Sequence, residues 1–232
     1  MLTIIIPVFN EINTIEKLIN KVLAENFISK EIILVDDAST DGTKELIENK
    51  LCKMVTKVIY HEHNMGKGFA IKSAKSVIEG DYVIIQDADL EYNPEDYSKL
   101  LKPIIEGNYS VVYGSRVLGK NRYQLKNFTS IFRIFANHIL TIVSNIINKQ
   151  KLTDAHTCYK VFNFDVFNKI TLEEKGFGFC PEITTKLSNM NIDIEEIPIS
   201  YNGRDYKNGK KIKFKDAIEA LIVLIKYKFF KK

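Results

Sequence analysis

Three acidic side chains stand close together at Asp87, Asp89 and Glu91, directly after the apolar run YVIIQ. Carboxylates this close repel one another unless a cation neutralises them. A hard divalent ion, Mg2+ or Mn2+, takes oxygen ligands and bridges readily to a substrate diphosphate. The same residues also suit a helix cap with exposed turn carboxylates, and their spacing alone leaves both readings open. A second acidic pair, Asp36-Asp37, ends another apolar run in VDDASTDGT. Acids there suit ribose hydroxyls or a base edge through charge-assisted hydrogen bonds, while Ser39, Thr40 and Asp41 suit a capped turn.

Other segments narrow the chemistry. PVFNE (Pro7–Glu11) stands where a dinucleotide-binding fold carries GxGxxG, which argues against a dehydrogenase. Asn64–Gly68 is a glycine-bearing turn that offers backbone N–H groups and Lys67 to an anion. It lacks P-loop spacing, so ATPase chemistry is set aside. Near the end, Arg204, Lys207, Lys210, Lys211 and Lys213 share a loop with Gly203 and Gly209. Such a loop suits closure over a phosphate, although a solvated charged loop has the same composition.

These residues need a scaffold that gathers them. Strands are expected at Leu2–Val8, Glu31–Asp36, Val55–His61, Tyr82–Gln86 and Ser110–Tyr113, nearly all apolar, as parallel strands covered on both faces are. Helices are expected between them: one entered through a capping box at Asn13 and Glu16, then Thr43–Asn49, Lys67–Ile78 and Pro94–Glu106. This alternation implies a parallel sheet with right-handed crossovers, and ligands of such sheets bind at the carboxyl ends of the strands. The second half predicts a long helix over 127–148, short strands at Lys160–Phe164 and Ile194–Tyr201, a helix from Pro181 to Asn189, and a last helix near Lys215–Phe230. The long helix has a wide apolar arc opposite Asn137, Thr141, Ser144 and Asn148. Base rates favour packing that arc into the core, and a lipid interface is the alternative.

The 232 residues are 45% hydrophobic and 27% charged, which suits one sizeable α/β domain and argues against wholesale disorder. The expected division is a domain over 1–214 with a basic amphipathic helix over 215–232. The net charge of +4 is uneven: residues 204–232 carry +7 and the remainder −3. A basic end on a mildly acidic body points to an anionic partner. Nucleic acid is disfavoured as that partner, because the basic residues gather in one loop and tail. Cys52, Cys158 and Cys180 are widely spaced, which suits a reducing compartment. The start, MLTIIIPVFNE, reads as a strand rather than a signal peptide, and no run reaches the ~20 apolar residues of a spanning helix. The expected location is cytoplasmic and peripheral, at the cytoplasmic face of a membrane, with the aromatic and lysine-rich tail against an anionic bilayer. Packing on the core is the alternative for that tail.

PVFNE, VDDASTDGT, HNMGKG and DADLE, in this order over residues 3–91, resemble the family 2 glycosyltransferases of the GT-A fold. YGSR (Tyr113–Arg116), LTDAHTCYKVF (Leu152–Phe162) and ISYNGRDYKNGKKIKFKDAIEAL (Ile199–Leu221) resemble the dolichyl-phosphate and polyprenyl-phosphate hexosyltransferase branch. The resemblance implies an inverting, metal-dependent hexosyl transfer from a nucleotide sugar of the GDP-mannose or UDP-glucose type to a lipid phosphate. It implies that Pro7, Phe9, Glu11, Val35 and Asp37 line the nucleotide pocket, and that Asp87 and Ala88 face the nucleotide sugar. Asp89 and Glu91 would hold Mg2+ or Mn2+. Arg116 would meet the acceptor phosphate or the donor diphosphate, and Arg204 with one of Lys210 or Lys211 would clamp phosphate. Phe9 stands where the family often has tyrosine, and Glu91 where it often has glutamine. Asp154 falls where many members carry an acid that deprotonates an acceptor hydroxyl. A phosphate acceptor is already largely ionised at neutral pH and needs little such help. Asp154 is therefore a general base for a hydroxyl acceptor, or a holder of the acceptor or of a positive neighbour for a phosphate acceptor. Lys160 is expected as its ion-pair partner or as a phosphate contact. A non-catalytic nucleotide-sugar-binding module and a sugar nucleotidyltransferase are the rival readings. The latter would carry a glycine-rich basic loop where PVFNE stands.

Overall fold

The computed structural model describes residues 1–118, 128–203 and 214–231, with side chains described except in 128–134 and 214–216. Arg204, Lys210 and Lys211 lie outside the described residues.

The first half follows the apolar pattern closely. Strands β1 (Leu2–Val8), β2 (Lys30–Asp36), β3 (Lys57–Tyr60) and β4 (Tyr82–Ile85) alternate with helices α1 (Ile15–Ala24), α2 (Thr43–Asn49) and α3 (Lys67–Lys75). All four strands are parallel, in the order β3-β2-β1-β4. The continuous Ile, Leu and Val runs of β1, β2 and β4 are buried because helices cover the sheet, while β3 at the edge is only partly buried. α1 buries Ile15, Leu18, Ile19 and Val22, spaced to form one face. The expected capping box does not form. Thr14 is the N-cap, and its hydroxyl donates to Glu11 instead.

The second half departs from a purely parallel sheet. A 3-10 turn at Pro94–Asp96 leads into α4 (Tyr97–Ile105), and β5 (Val111–Ser115) follows. Next come α5 (Phe128–Asn148), β6 (Lys160–Asn163), the short α6 (Phe164–Lys169), α7 (Phe179–Asn189) and β7 (Glu195–Pro198). β6 lies antiparallel between β4 and β5, and β7 pairs parallel with β5, so the complete order is β3-β2-β1-β4-β6-β5-β7. The chain closes with α8 (Phe214–Ile225), continued by a wider π-helical turn over Lys226–Phe230.

α5 reverses the favoured expectation. Its polar positions face inward: Thr141, Ser144 and Asn148 are buried. Asn145 exchanges two hydrogen bonds with the backbone of Leu152, and Asn148 donates to the Thr185 hydroxyl on α7. Phe135, Ile139, Ile142 and Ile146 are exposed instead. These bonds offset much of the cost of burying the polar face, although Asn148 Oδ1 is buried without a partner among the described residues.

Candidate functional site

The loops after β1, β2 and β4 leave one edge of the sheet, where parallel order gathers their carboxyl ends. Each loop carries a non-glycine residue with positive φ: Asn10 at 54°, Ala38 at 62° and Leu90 at 61°. Alanine and leucine rarely adopt this conformation, which concentrates at sites where loop geometry is over-determined.

The hydrogen bonds are consistent with that account. The Asn10 side chain accepts from Thr40 N–H, while Ser39 Oγ accepts from Asn10 N–H, so the β1 and β2 loops are laced together. Pro7 and Phe9 are half-buried, whereas Glu11 is buried and accepts from Thr14. Val35 is fully buried among the core residues, so its side chain belongs to the core. Asp37 is also buried. Its carboxylate accepts from Met65 and Gly66 N–H at 2.8 Å and pairs with His61 Nδ1 at 2.7 Å. Asp37 therefore fixes the turn before α3.

The glycines of that turn have a packing role. A Cβ on Gly66 would meet the Lys175 carbonyl, and one on Gly68 the Glu174 carbonyl. Phe69 N–H donates to Lys175 O, so part of the α3 N-terminus is already engaged by protein. Lys67 forms an ion pair with Asp87 and a 3.1 Å contact with Cys158 Sγ. Burial pulls its pKa down, but the Asp87 charge outweighs this and holds the ammonium above its ordinary range. One member of the acidic cluster is thus neutralised by protein.

The other two acids lie on the strained β4 loop. Asp89 Oδ1 accepts Glu91 N–H at 3.1 Å, and Glu91 Oε2 accepts from the Tyr201 hydroxyl at 2.7 Å. Tyr92 and Tyr201 form an isolated antiparallel bridge, and Asn202 N–H donates to the Glu91 carbonyl. The segment after β7 thereby holds the acidic loop. Gln86 supports it from below: its amide donates to Asp87 O, and its carbonyl accepts from Tyr97 and Tyr159 hydroxyls at 2.5 and 2.6 Å. Among the described residues no cluster of three or more His, Cys, Asp or Glu has metal-binding geometry. Asp89 and Glu91 are two oxygen donors on one hydrogen-bonded loop, a donor type that suits Mg2+ or Mn2+, which commonly take one or two protein carboxylates and complete their shell with substrate phosphate and water.

The third element is Arg116, just past β5. Its Nε and Nη2 donate to the two oxygens of Asp154 at 2.6 and 2.8 Å. Its backbone N–H also donates to Asp154 Oδ2, and Asn137 of α5 donates to Oδ1 at 3.1 Å. The carboxylate is fully buried and accepts four hydrogen bonds from the described residues. The Arg116 guanidinium lies 5.2 Å from the Tyr201 ring centre, so Tyr201 touches both the arginine and Glu91. Burial opposes the charge on Arg116, but Asp154 outweighs it and raises its pKa.

Lys160 has neither expected role among the contacts seen. Its ammonium is fully buried, donates to Ala155 and Thr157 carbonyls, and lies over the Tyr113 ring at 3.9 Å. Burial lowers its pKa. His156 lies near Lys160, Asp154 and Arg116, and burial, reinforced by Lys160, pushes its pKa down to about 4. A neutral buried imidazole brings no penalty above pH ~6.5, where the unfolded chain is neutral too. The penalty grows as pH falls through ~6.5 and levels off near ~4, reaching on the order of 2–3 kcal/mol. His156→Asn is expected to flatten the loss of stability between these pH values relative to the parent. Parallel urea titrations would read the difference, and identical pH slopes would contradict it.

Sequence reasoning missed Gln86, Asn137, Glu196 and Tyr201. Glu196 accepts from Thr153 and Asp154 N–H at 2.6 and 2.9 Å and so orients the Asp154 loop. Burial raises its pKa. Tyr201 lay in a motif read for its basic residues, and its contacts with Glu91, 110 positions away, and with Arg116 reveal its place.

The model of the family described as Glycosyl transferase family 2 matches residues 3–171. The chain is 29% identical over 202 residues to "Glycosyltransferase AglJ" of Haloferax volcanii, covering 87% of this chain and 63% of that protein. It is 29% identical to the "UDP-N-acetylglucosamine--dolichyl-phosphate N-acetylglucosaminyltransferase" of Methanococcus voltae, covering 90% of this chain and 89% of that protein. Among solved structures, the glucosyl-3-phosphoglycerate synthase of Mycobacterium tuberculosis, in complex with Mn2+ and UDP-glucose, superposes with a TM-score of 0.74. That match covers 98% of this chain and 79% of the synthase at 14% identity, and it establishes the shared fold.

Proposed function

The chain belongs to glycosyl transferase family 2, and from that premise we propose that it moves a hexose from a nucleotide sugar to a polyprenyl phosphate, with inversion, at a membrane surface. The observation that carries the choice of acceptor is the state of Asp154. Among the described residues both of its oxygens are engaged, three times by Arg116 and once by Asn137, which commits the carboxylate to holding a cation rather than to receiving a proton. A hydroxyl acceptor needs a base, whereas a phosphate arrives ionised. Asp154 is then a positioning residue for Arg116. The dolichyl-phosphate specificity in the name of the Methanococcus voltae relative supports the same acceptor.

In this reading Asp89 and Glu91 would hold Mg2+ or Mn2+, which when bound would supply charge stabilisation for the diphosphate leaving group. Tyr201 steadies Glu91 and faces Arg116, so one side chain aligns the acidic and basic halves of the site. Arg116 opposes the developing negative charge, an electrostatic contribution made by a preoriented group. Lys67 keeps Asp87 in place beside the nucleotide sugar. Arg204 with Lys210 or Lys211 adds phosphate contacts by family resemblance. Pro7, Phe9, Glu11 and Ala88 border the donor, while Asp37 shapes the pocket through the Met65–Gly66 turn.

The chain acts as a domain over 1–214 with a membrane-facing helix over 215–232, on the cytoplasmic face. Among the described residues no helix is long and apolar enough to cross a membrane. The test combines purified protein, Mn2+, a polyprenyl phosphate and a panel of UDP- and GDP-sugars. One donor is expected to give a glycolipid. Donor binding with no transfer to any acceptor would return the chain to a binding module.

A further inference from the structure

Two helices present the same pattern outward. On α5 the exposed positions are Phe135, Ile139, Ile142 and Ile146, with Phe135 60% and Ile146 73% exposed. On α8 and its π-helical turn they are Ile218, Ile222, Ile225 and Phe229, with Ile222 60% and Phe229 65% exposed. Both sets follow the spacing i, i+4, i+7, i+11, which is one face of a helix. α5 and α8 pack against one another, and both pack on α7, whose Phe179–Thr185 stretch is buried. α8 also buries Ala220, Val223, Leu224 and Tyr227, so it is apolar on its inner and outer sides alike. A water-facing helix would instead put its polar residues outside, and α5 has them to hand but turns them inward.

In sequence, the segments that flank these two helices are mostly basic. Lys149 and Lys151 are exposed at the end of α5, whereas at the end of α8 Lys226 pairs with Glu174 and Lys231 with Glu173. In sequence, the stretch 119–127 leading into α5 carries Lys120, Arg122 and Lys126 with no acid. The stretch 204–213 leading into α8 carries five basic residues and Asp205. Glu219 of α8 has its carboxylate against Gly178, in the loop before α7. An aliphatic and aromatic face on helices flanked in sequence by basic segments complements an interface of acyl chains and anionic headgroups.

We propose that the paired outer faces of α5 and α8 form the surface that lies in an anionic phospholipid bilayer. Asn137 joins α5 to the Asp154–Arg116 pair, so the helix that meets lipid also braces the arginine that meets phosphate. The significance of this surface rests on the lipid-phosphate reading above, but its binding is measured without donor or acceptor, so either can fail alone.

The experiment is flotation with vesicles of phosphatidylcholine, with and without phosphatidylglycerol. The parent protein is expected to float with the anionic vesicles and far less with neutral ones. Ile142→Gln combined with Ile222→Gln is expected to lower the bound fraction about tenfold with Tm unchanged, since both side chains are exposed and glutamine is a good helix former. The same variant should keep transfer to a short, water-soluble polyprenyl phosphate and lose transfer to a long-chain one held in vesicles. Absent or equal flotation of parent and variant would overturn the proposal. So would light scattering that finds a parent dimer which the substitutions dissociate, because the face would then belong to a second copy.

Discussion

Replacing Asp89 with Asn is expected to lower kcat/KM about a thousandfold, equivalent to ~4 kcal/mol of transition-state stabilisation, with little change in Tm. The substitution separates charge from shape. Asp89 Oδ1 accepts Glu91 N–H, and this bond supports a turn that also contains Leu90 with φ of 61°. Asparagine retains that acceptor, so the loop should persist while an anionic ligand is lost. Chelation should silence the parent and added Mn2+ should restore it, whereas the variant should respond to neither. Retention of near-parent turnover by Asp89→Asn would remove Asp89 from the metal site.

The second large effect falls on stability. Asp154→Ala would leave the Arg116 guanidinium without its partner in a mostly buried position and Asn137 without its acceptor. Breaking one side of such a pair costs about 3–5 kcal/mol. In a domain of this size that corresponds to a fall in Tm of roughly 6–20 °C. Asp154→Asn is the milder companion, because it keeps the shape and some hydrogen bonding. The phosphate reading expects Asp154→Asn to lose stability while its folded fraction keeps the parent pH profile for turnover. A collapse of kcat with Tm unchanged and the pH limb abolished would mark Asp154 as a general base and move the acceptor to a hydroxyl.

The sequence carried the local half of this architecture well, for a physical reason. In TIIIPV, EIILVD and YVIIQD, strands covered on both faces leave continuous apolar runs, and α2 has the expected bounds, Thr43–Asn49. The antiparallel insertion of β6 between β4 and β5 was not legible, because strand order depends on partners far apart in the chain. The same limit applies to side chains. Asp37 looked like a ligand contact, yet its oxygens meet Met65, Gly66 and His61. Lys67 and Asp87 were both legible as site residues, but their mutual pairing was not. Periodicity marked the apolar arc of α5 correctly and could not give its direction. That direction is fixed by polar partners on other elements, such as Asp154 and Thr185.

The most direct test of the central claim offers the protein, its preferred nucleotide sugar and Mn2+ two acceptors of equal chain length, a polyprenyl phosphate and the corresponding free polyprenol, and follows both products by mass spectrometry. The account predicts a hexosyl phospholipid from the first and no glycoside from the second. Transfer to the free alcohol at a comparable rate would contradict it.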